Sequence, residues 1–209
     1  MKDLRPIALM DSSYKIFMGI IRAKLDEHLE RNNLVNELQA GSTKGRRCTD
    51  NIFIINYCIG KCYKMKKPLY LLSSDFQKAF DSIKRVMLIH LLKELKVDSN
   101  IINVIAKVYT GDLAKLFINN KEVTQIDITS GIKQGCNGST TLFLIITYYI
   151  IKKLQEANIG YKDELFYIPG LFYVDDGLVL AESKEELRFA VEVLQRAAQD
   201  CGLKLNKKK

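Results

Sequence analysis

Apolar residues along this chain recur at two intervals, and the change from one to the other divides it into helices and strands. From 12 to about 31, Ile16, Ile20, Ile21, Leu25 and Leu29 fall at helical spacing. A second helix is expected from about 50 to 65, capped by Thr49 or Asp50. A third runs from 77 to about 95, with Phe80, Ile83, Met87, Leu88, Leu91 and Leu92 on its buried side, and a short fourth follows at 100–109. Ser139 is placed to cap a strongly apolar helix reaching about 156, whose longest apolar run, 142–151, is too short to span a bilayer. Ser183 and Glu186 form a capping box for a helix with Leu187, Ala190, Val191, Leu194 and Ala198 on one face, which Gly202 ends.

Strand signals lie between these helices. The opening run at 4–9 is strand-like, and after Pro68 the stretch LYLL reads as a buried strand that delivers Asp75 at its end. Residues 115–119 and 122–128 alternate apolar and polar around Asn119 and Asn120, the pattern of a hairpin. In FYVDDGLVL, 172–180, two apolar runs flank Asp175 and Asp176, and Gly177 is expected to supply the positive φ of a tight turn. Leu203 and Leu205 begin a last strand. Helices and hairpins alternate irregularly, without a repeat or linker, which predicts an α+β fold with an antiparallel sheet.

Composition narrows the chemistry. The 209 residues suffice for one domain, or one domain with two lobes. A net charge of +8 and a pI near 9.1 fit a polyanionic partner, nucleic acid or a membrane surface, and equally a solvated basic surface. The two histidines, His28 and His90, are far apart, and the five cysteines lack metal spacing, so a His-based triad or zinc site is not expected. Cys58 and Cys62 share an apolar stripe with Ile55 and Ile59 and read as core. An odd cysteine count without a secretory leader predicts a reducing, intracellular setting. Carboxylates remain. Asp175 and Asp176 form an adjacent like-charged pair that a divalent cation compensates best, although Asp-Gly between strands is also an ordinary turn signal, and Asp75 offers a third acid. The loop at 39–50, with Lys44, Arg46 and Arg47, suits phosphate contacts but reads equally as a plain solvated loop, and the loop at 130–140 carries three glycines.

In order, LRPIAL, QAGSTKGRRCTDNI, SSDFQKAFDSI, SGIKQGCNGST, FYVDDGLVLA and CGLKLNKKK resemble six successive blocks of the reverse transcriptases of non-LTR (LINE-like) retrotransposons, covering essentially the whole chain. The resemblance implies a right-hand polymerase: fingers over about 1–68, mainly palm over about 69–209 with a fingers-side insertion near 100–130, and an absent thumb. It implies that Asp75, Asp175 and Asp176 are the catalytic, metal-binding acids, holding two Mg²⁺ ions, or Mn²⁺ in their place, for in-line phosphoryl transfer. The implied substrates are deoxynucleoside triphosphates, with an RNA template and a DNA primer as partners and no membrane. Phe80 matches the position where an aromatic ring blocks a ribose 2′-hydroxyl, with core packing as its alternative role. Gln134 and Gly135 match the loop against the incoming nucleotide, and Lys209 matches a lysine that assists the leaving pyrophosphate.

The pattern is altered in places. Where the family places an aromatic residue and an Arg, this chain has Ser42 and Thr43, leaving Lys44 or Arg46 as substitute triphosphate contacts. Asn137, Gly138, Ser139 and Thr140 replace Pro-Leu-Ser-Pro, removing two rigid prolines. Asp81 reads as structural, solvated or Arg-paired. The expectation is an RNA-directed DNA polymerase in the cytoplasm or nucleus. The alternative is a truncated or decayed reverse transcriptase that binds nucleic acid without polymerising, and a remoter one is an RNA-copying polymerase or nucleotide cyclase, against which Phe80 argues.

Overall fold

A computed structural model describes residues 9–206. In chain order the elements are α1 (Ser12–Arg31), α2 (Cys48–Met65), β1 (Tyr70–Ser74), α3 (Ala79–Ser82), α4 (Arg85–Glu94), α5 (Ser99–Tyr109), β2 (Leu113–Ile118), β3 (Lys121–Asp127), α6 (Ser139–Glu156), β4 (Tyr161–Lys162), β5 (Tyr167–Ile168), β6 (Gly170–Tyr173), β7 (Asp176–Ala181) and α7 (Lys184–Asp200). The strand expected at 4–9 lies, but for Leu9, outside the described residues, and so does Lys209.

The α+β expectation holds. The main sheet has the order β1-β7-β6 with both pairings antiparallel, while β2-β3 and β4-β5 are separate two-stranded ribbons. Its central strand explains the continuous apolar run in the sequence. Phe172 and Val179 enter one core with residues of α1, α4, α5, α6 and α7, whereas Leu171 and Leu180 enter a second core with Cys58, Cys62, Tyr161 and Ile168. Alternate residues thus face opposite sides, and both sides are covered. Helix α6 buries ten of its side chains, among them Phe143, Ile146 and Ile150, which makes it the spine of the larger core.

Several boundaries differ from the sequence reading. The helix expected over 77–95 is two helices, because Ile83 turns extended (φ −59°, ψ 128°) and its carbonyl accepts from Gly131 N at 2.8 Å while Lys84 N donates to Cys201 O at 2.8 Å. Tertiary hydrogen bonds replace helical ones there. Strand β1 is an edge strand with Leu71 41% exposed, not a buried one. Asp50 is not a cap: it lies in the first turn of α2 and accepts from Arg47 N at 2.9 Å. Helix α6 starts after Gly138, so Ser139 is its first residue and its buried hydroxyl makes no capping bond. Ser183 does cap α7, accepting from Glu186 N at 3.0 Å, but the Glu186 carboxylate serves Glu182 N and Gly160 N. Past Gly202 the described residues form one bridge, Phe76 to Leu205, where a strand is expected to begin.

Asp163 ties the β4-β5 ribbon to α2. Burial pushes its carboxyl up, but hydrogen bonds from Leu165 N, the Tyr161 hydroxyl, Phe166 N and the Tyr57 hydroxyl outweigh that and hold it down at about 2. A depressed folded-state pKa gives stability that is present above the unfolded carboxylate value near 3.9 and lost as pH falls through about 2. The ribbon's amide protection is therefore expected to fall between about pH 4 and 2 in the wild type, and Asp163→Asn is expected to flatten that dependence in hydrogen exchange.

Candidate active site

Two segments, the end of β1 and the β6-β7 hairpin, bring three acids to one end of the main sheet. The β1-β7 ladder runs to Ser74 opposite Gly177, so Asp75 and Asp176 are the next residues along at the same end. The β6-β7 ladder closes with Tyr173 opposite Asp176, leaving Val174 and Asp175 as a two-residue turn. The left-handed residue of this turn is Val174, φ 56°, and not Gly177 as expected. Gly177 instead lies in the ladder, where a Cβ would stand 2.6 Å from Ser74 Oγ and 2.7 Å from Phe172 Cε1. Its missing side chain admits close packing inside the sheet, whereas a β-branched residue at positive φ is a strained turn.

Asp175 is half-buried and Asp176 exposed. Asp75 Oδ2 accepts from Asn206 Nδ2 at 3.2 Å, and Asn206 N donates to Asp75 O at 2.8 Å. Carboxylates suit a hard divalent cation, so the donor chemistry fits one. Among the described residues no three His, Cys, Asp or Glu side chains already stand grouped as a metal site.

The other expected residues surround this end unevenly. Phe80, half-buried, stacks on Phe143 of α6 with centroids 4.9 Å apart and 19° between planes. Its carbonyl accepts from Ile132 N at 2.8 Å, which draws the loop of Gln134 and Gly135 alongside the segment after Asp75. Gln134 is half-buried and Gly135, φ 92°, is exposed. Lys44 and Arg46 are exposed on the loop before α2, where Arg46 lies 3.8 Å from Glu37. Asp81 is half-buried rather than solvated, with burial pushing its carboxyl up and Lys78 drawing it down.

Two groups were not legible as functional. Asp112 is buried and pairs with Arg85 Nη2 at 2.8 Å and Lys133 Nζ at 2.8 Å, and Arg85 also donates to the carbonyls of Tyr109, Ile128 and Gly131. This cluster fastens the base of the loop that carries Gln134. Gln39, 3% exposed, places its amide against the acid turn: Oε1 accepts from Val174 N at 3.0 Å and Gly41 N at 2.9 Å, and Nε2 donates to Val174 O and Thr147 Oγ1, each at 3.2 Å. The sequence signal was a polar residue between Leu38 and Ala40, masked by the charges that follow it.

An antiparallel sheet backed by α6 and α7, with an acid-bearing hairpin at one end, has the right-hand polymerase fold. Solved structures agree on that fold: apo telomerase from Candida Tropicalis matches with a TM-score of 0.68 at 15% identity over 92% of this chain and 36% of that one. Telomerase from Candida albicans in complex with a TWJ fragment of telomeric RNA gives 0.67 at 15% over 91% and 33%. The sequence matches the family described as reverse transcriptase (RNA-dependent DNA polymerase) over residues 1–209, and the chain belongs to that family. Curated relatives place it with non-LTR retrotransposons. The retrovirus-related Pol polyprotein from type-1 retrotransposable element R2 of Nasonia vitripennis is 24% identical over 98% of this chain, and that from element R1 of Bradysia coprophila is 26% identical over 94%. The chain spans 20% and 18% of the lengths of these two relatives.

Proposed function

We propose that this chain is the fingers and palm portion of an RNA-directed DNA polymerase, with Asp75, Asp175 and Asp176 as its catalytic acids. The observation that carries the reading is the ladder register, Ser74 opposite Gly177 and Tyr173 opposite Asp176, which brings acids about 100 residues apart in sequence to one sheet end. In this reading the three carboxylates hold Mg²⁺, with Mn²⁺ as a substitute. When bound, such ions supply charge neutralisation at the attacking 3′ oxygen and the leaving pyrophosphate. The protein's own residues orient and exclude. Phe80, braced from behind by Phe143, screens the sugar of a deoxynucleoside triphosphate, the loop of Gln134 and Gly135 lies along the base pair being formed, and Lys44 and Arg46 offer charge to the phosphates. An RNA template and DNA primer are the partners, held in part by the chain's net charge of +8. Among the described residues no helix is long and apolar enough to cross a membrane.

Primer extension on a short RNA template, with Mg²⁺ and the four deoxynucleotides, tests the reading. Extension by the wild type is the expected result; retained duplex binding without extension would replace it with the nucleic-acid binder that does not polymerise. In the extending protein, Phe80→Val is expected to raise ribonucleotide use relative to deoxynucleotide use by on the order of tenfold to a hundredfold, read from competing incorporation. The lost stacking on Phe143 costs about 1 kcal/mol of stability, so an unchanged ratio in a folded variant would assign Phe80 to packing alone.

A further inference from the structure

We propose that Gln39 is a positioning residue for the acid turn, fixing the backbone that aims Asp175; this rests on reading Asp175 and Asp176 as metal-holding acids. A side-chain amide has two acceptor lone pairs and two donor hydrogens. At Gln39 all four are used, and two of the four bonds grip Val174 from both sides: its N–H donates to Oε1 and its carbonyl accepts from Nε2. Two backbone N–H groups, from Val174 and Gly41, converge on one atom of the amide, which fixes that atom as the oxygen.

The held residue is the strained one. Val174 has φ 56°, a conformation that a β-branched side chain adopts only when its surroundings impose it. Its carbonyl belongs to the peptide whose nitrogen is that of Asp175, so orienting this carbonyl sets the plane from which Asp175 departs. The remaining bonds anchor the amide at both ends. Gly41 ties it to its own loop, and Thr147 ties it to α6, where the Thr147 hydroxyl donates on to Phe143 O at 2.9 Å. Phe143 is the ring on which Phe80 stacks, so one chain of contacts runs from the acid turn to the expected sugar screen.

The surrounding backbone is built to seat Gln39. Ala40 N donates to Phe172 O at 2.9 Å and Phe172 N donates to Leu38 O at 2.7 Å, which sets residues 38–40 alongside β6 in parallel pairing. At Gly41 a Cβ would stand 2.4 Å from Val174 N, so the loop lies flush against the turn only because no side chain intervenes. The segment that reads in sequence as a basic loop thus begins with a bracket for the hairpin.

The test uses the full chain and Gln39→Met, which keeps the volume and removes the amide, beside Gln39→Ala. Hydrogen exchange is expected to show the Val174 amide losing protection in both variants while amides of α6 and α7 keep theirs; protection retained at Val174 would overturn the clamp. Mn²⁺ binding followed by electron paramagnetic resonance then reads the consequence, with Asp176→Asn as the reference. Gln39→Met is expected to weaken Mn²⁺ binding by about 10- to 100-fold, the range for groups that orient metal ligands. Wild-type affinity in Gln39→Met, with Asp176→Asn impaired, would overturn the positioning role while leaving the acids in place. Equal affinity in all proteins, Asp176→Asn included, would remove the acid reading and this proposal with it.

Discussion

Asp176→Asn is expected to abolish measurable primer extension while leaving the protein folded. Asp176 is exposed and held in register by backbone pairing with Tyr173, so exchanging its carboxylate for an amide leaves packing intact, with a stability change within about 0.5 kcal/mol. The catalytic effect is of another order. A metal-held charge contributes several kcal/mol in the transition state, and about 4 kcal/mol at 1.36 kcal/mol per decade is roughly a thousandfold in rate. Single-turnover extension on an RNA template beside a thermal melt separates the two effects. Extension at the wild-type rate would transfer the catalytic role away from the hairpin.

The largest stability effect is expected at Asp112. Its side chain is 4% exposed and pairs with two cations, Arg85 at 14% and Lys133 at 23% exposure. Removing one partner of a buried pair strands the other and costs roughly 3–5 kcal/mol. Asp112→Ala is expected near the low end, about 3 kcal/mol, because Arg85 keeps three carbonyl acceptors while Lys133 keeps its position over the Tyr14 ring at 4.8 Å. At this chain length that is a fall in Tm of about 6–12 °C. Lys133 precedes Gln134, so in an extending protein the same change is expected to raise the KM for deoxynucleotide more than it lowers kcat. Asp112→Asn, which keeps the shape, recovers part of the loss.

Much of the fold was legible because the spacing of apolar residues records the helical or extended period, even where those residues stay exposed, as at Ile16, Ile20 and along the β2-β3 ribbon. Helix α1 begins and ends where the spacing of Ile16 to Leu29 predicts, and the β2-β3 ribbon turns at Asn119 and Asn120, both at positive φ. The segments that failed are those whose conformation is decided by distant partners. Nothing local at Ile83 announces that Gly131 and Cys201 will take over its neighbours' hydrogen bonds, and nothing at Val174 announces that Gln39 will hold it in a left-handed turn. The candidate acids could be read from charge and order alone. Their supports could not, since Gln39 and Asn206 carry no charge and Asp112 meets its cations only in the folded chain.

The closing of residues 204–206 on 75–77 bears on the order in which the molecule is made. Gln77 N donates to Lys204 O at 2.8 Å, Phe76 bridges Leu205, and Asn206 meets both the backbone and the carboxylate of Asp75 across 131 positions of sequence. A ribosome releases Asp75 long before it releases the segment that borders it. Neighbouring helices such as α4 and α5 can pair as they emerge, since their contacts span short loops, but the acid end of β1 waits for residues 204–206. Seating of Asp75 therefore follows its emergence from the ribosome, and a nascent chain carries that acid well ahead of the contacts that border it.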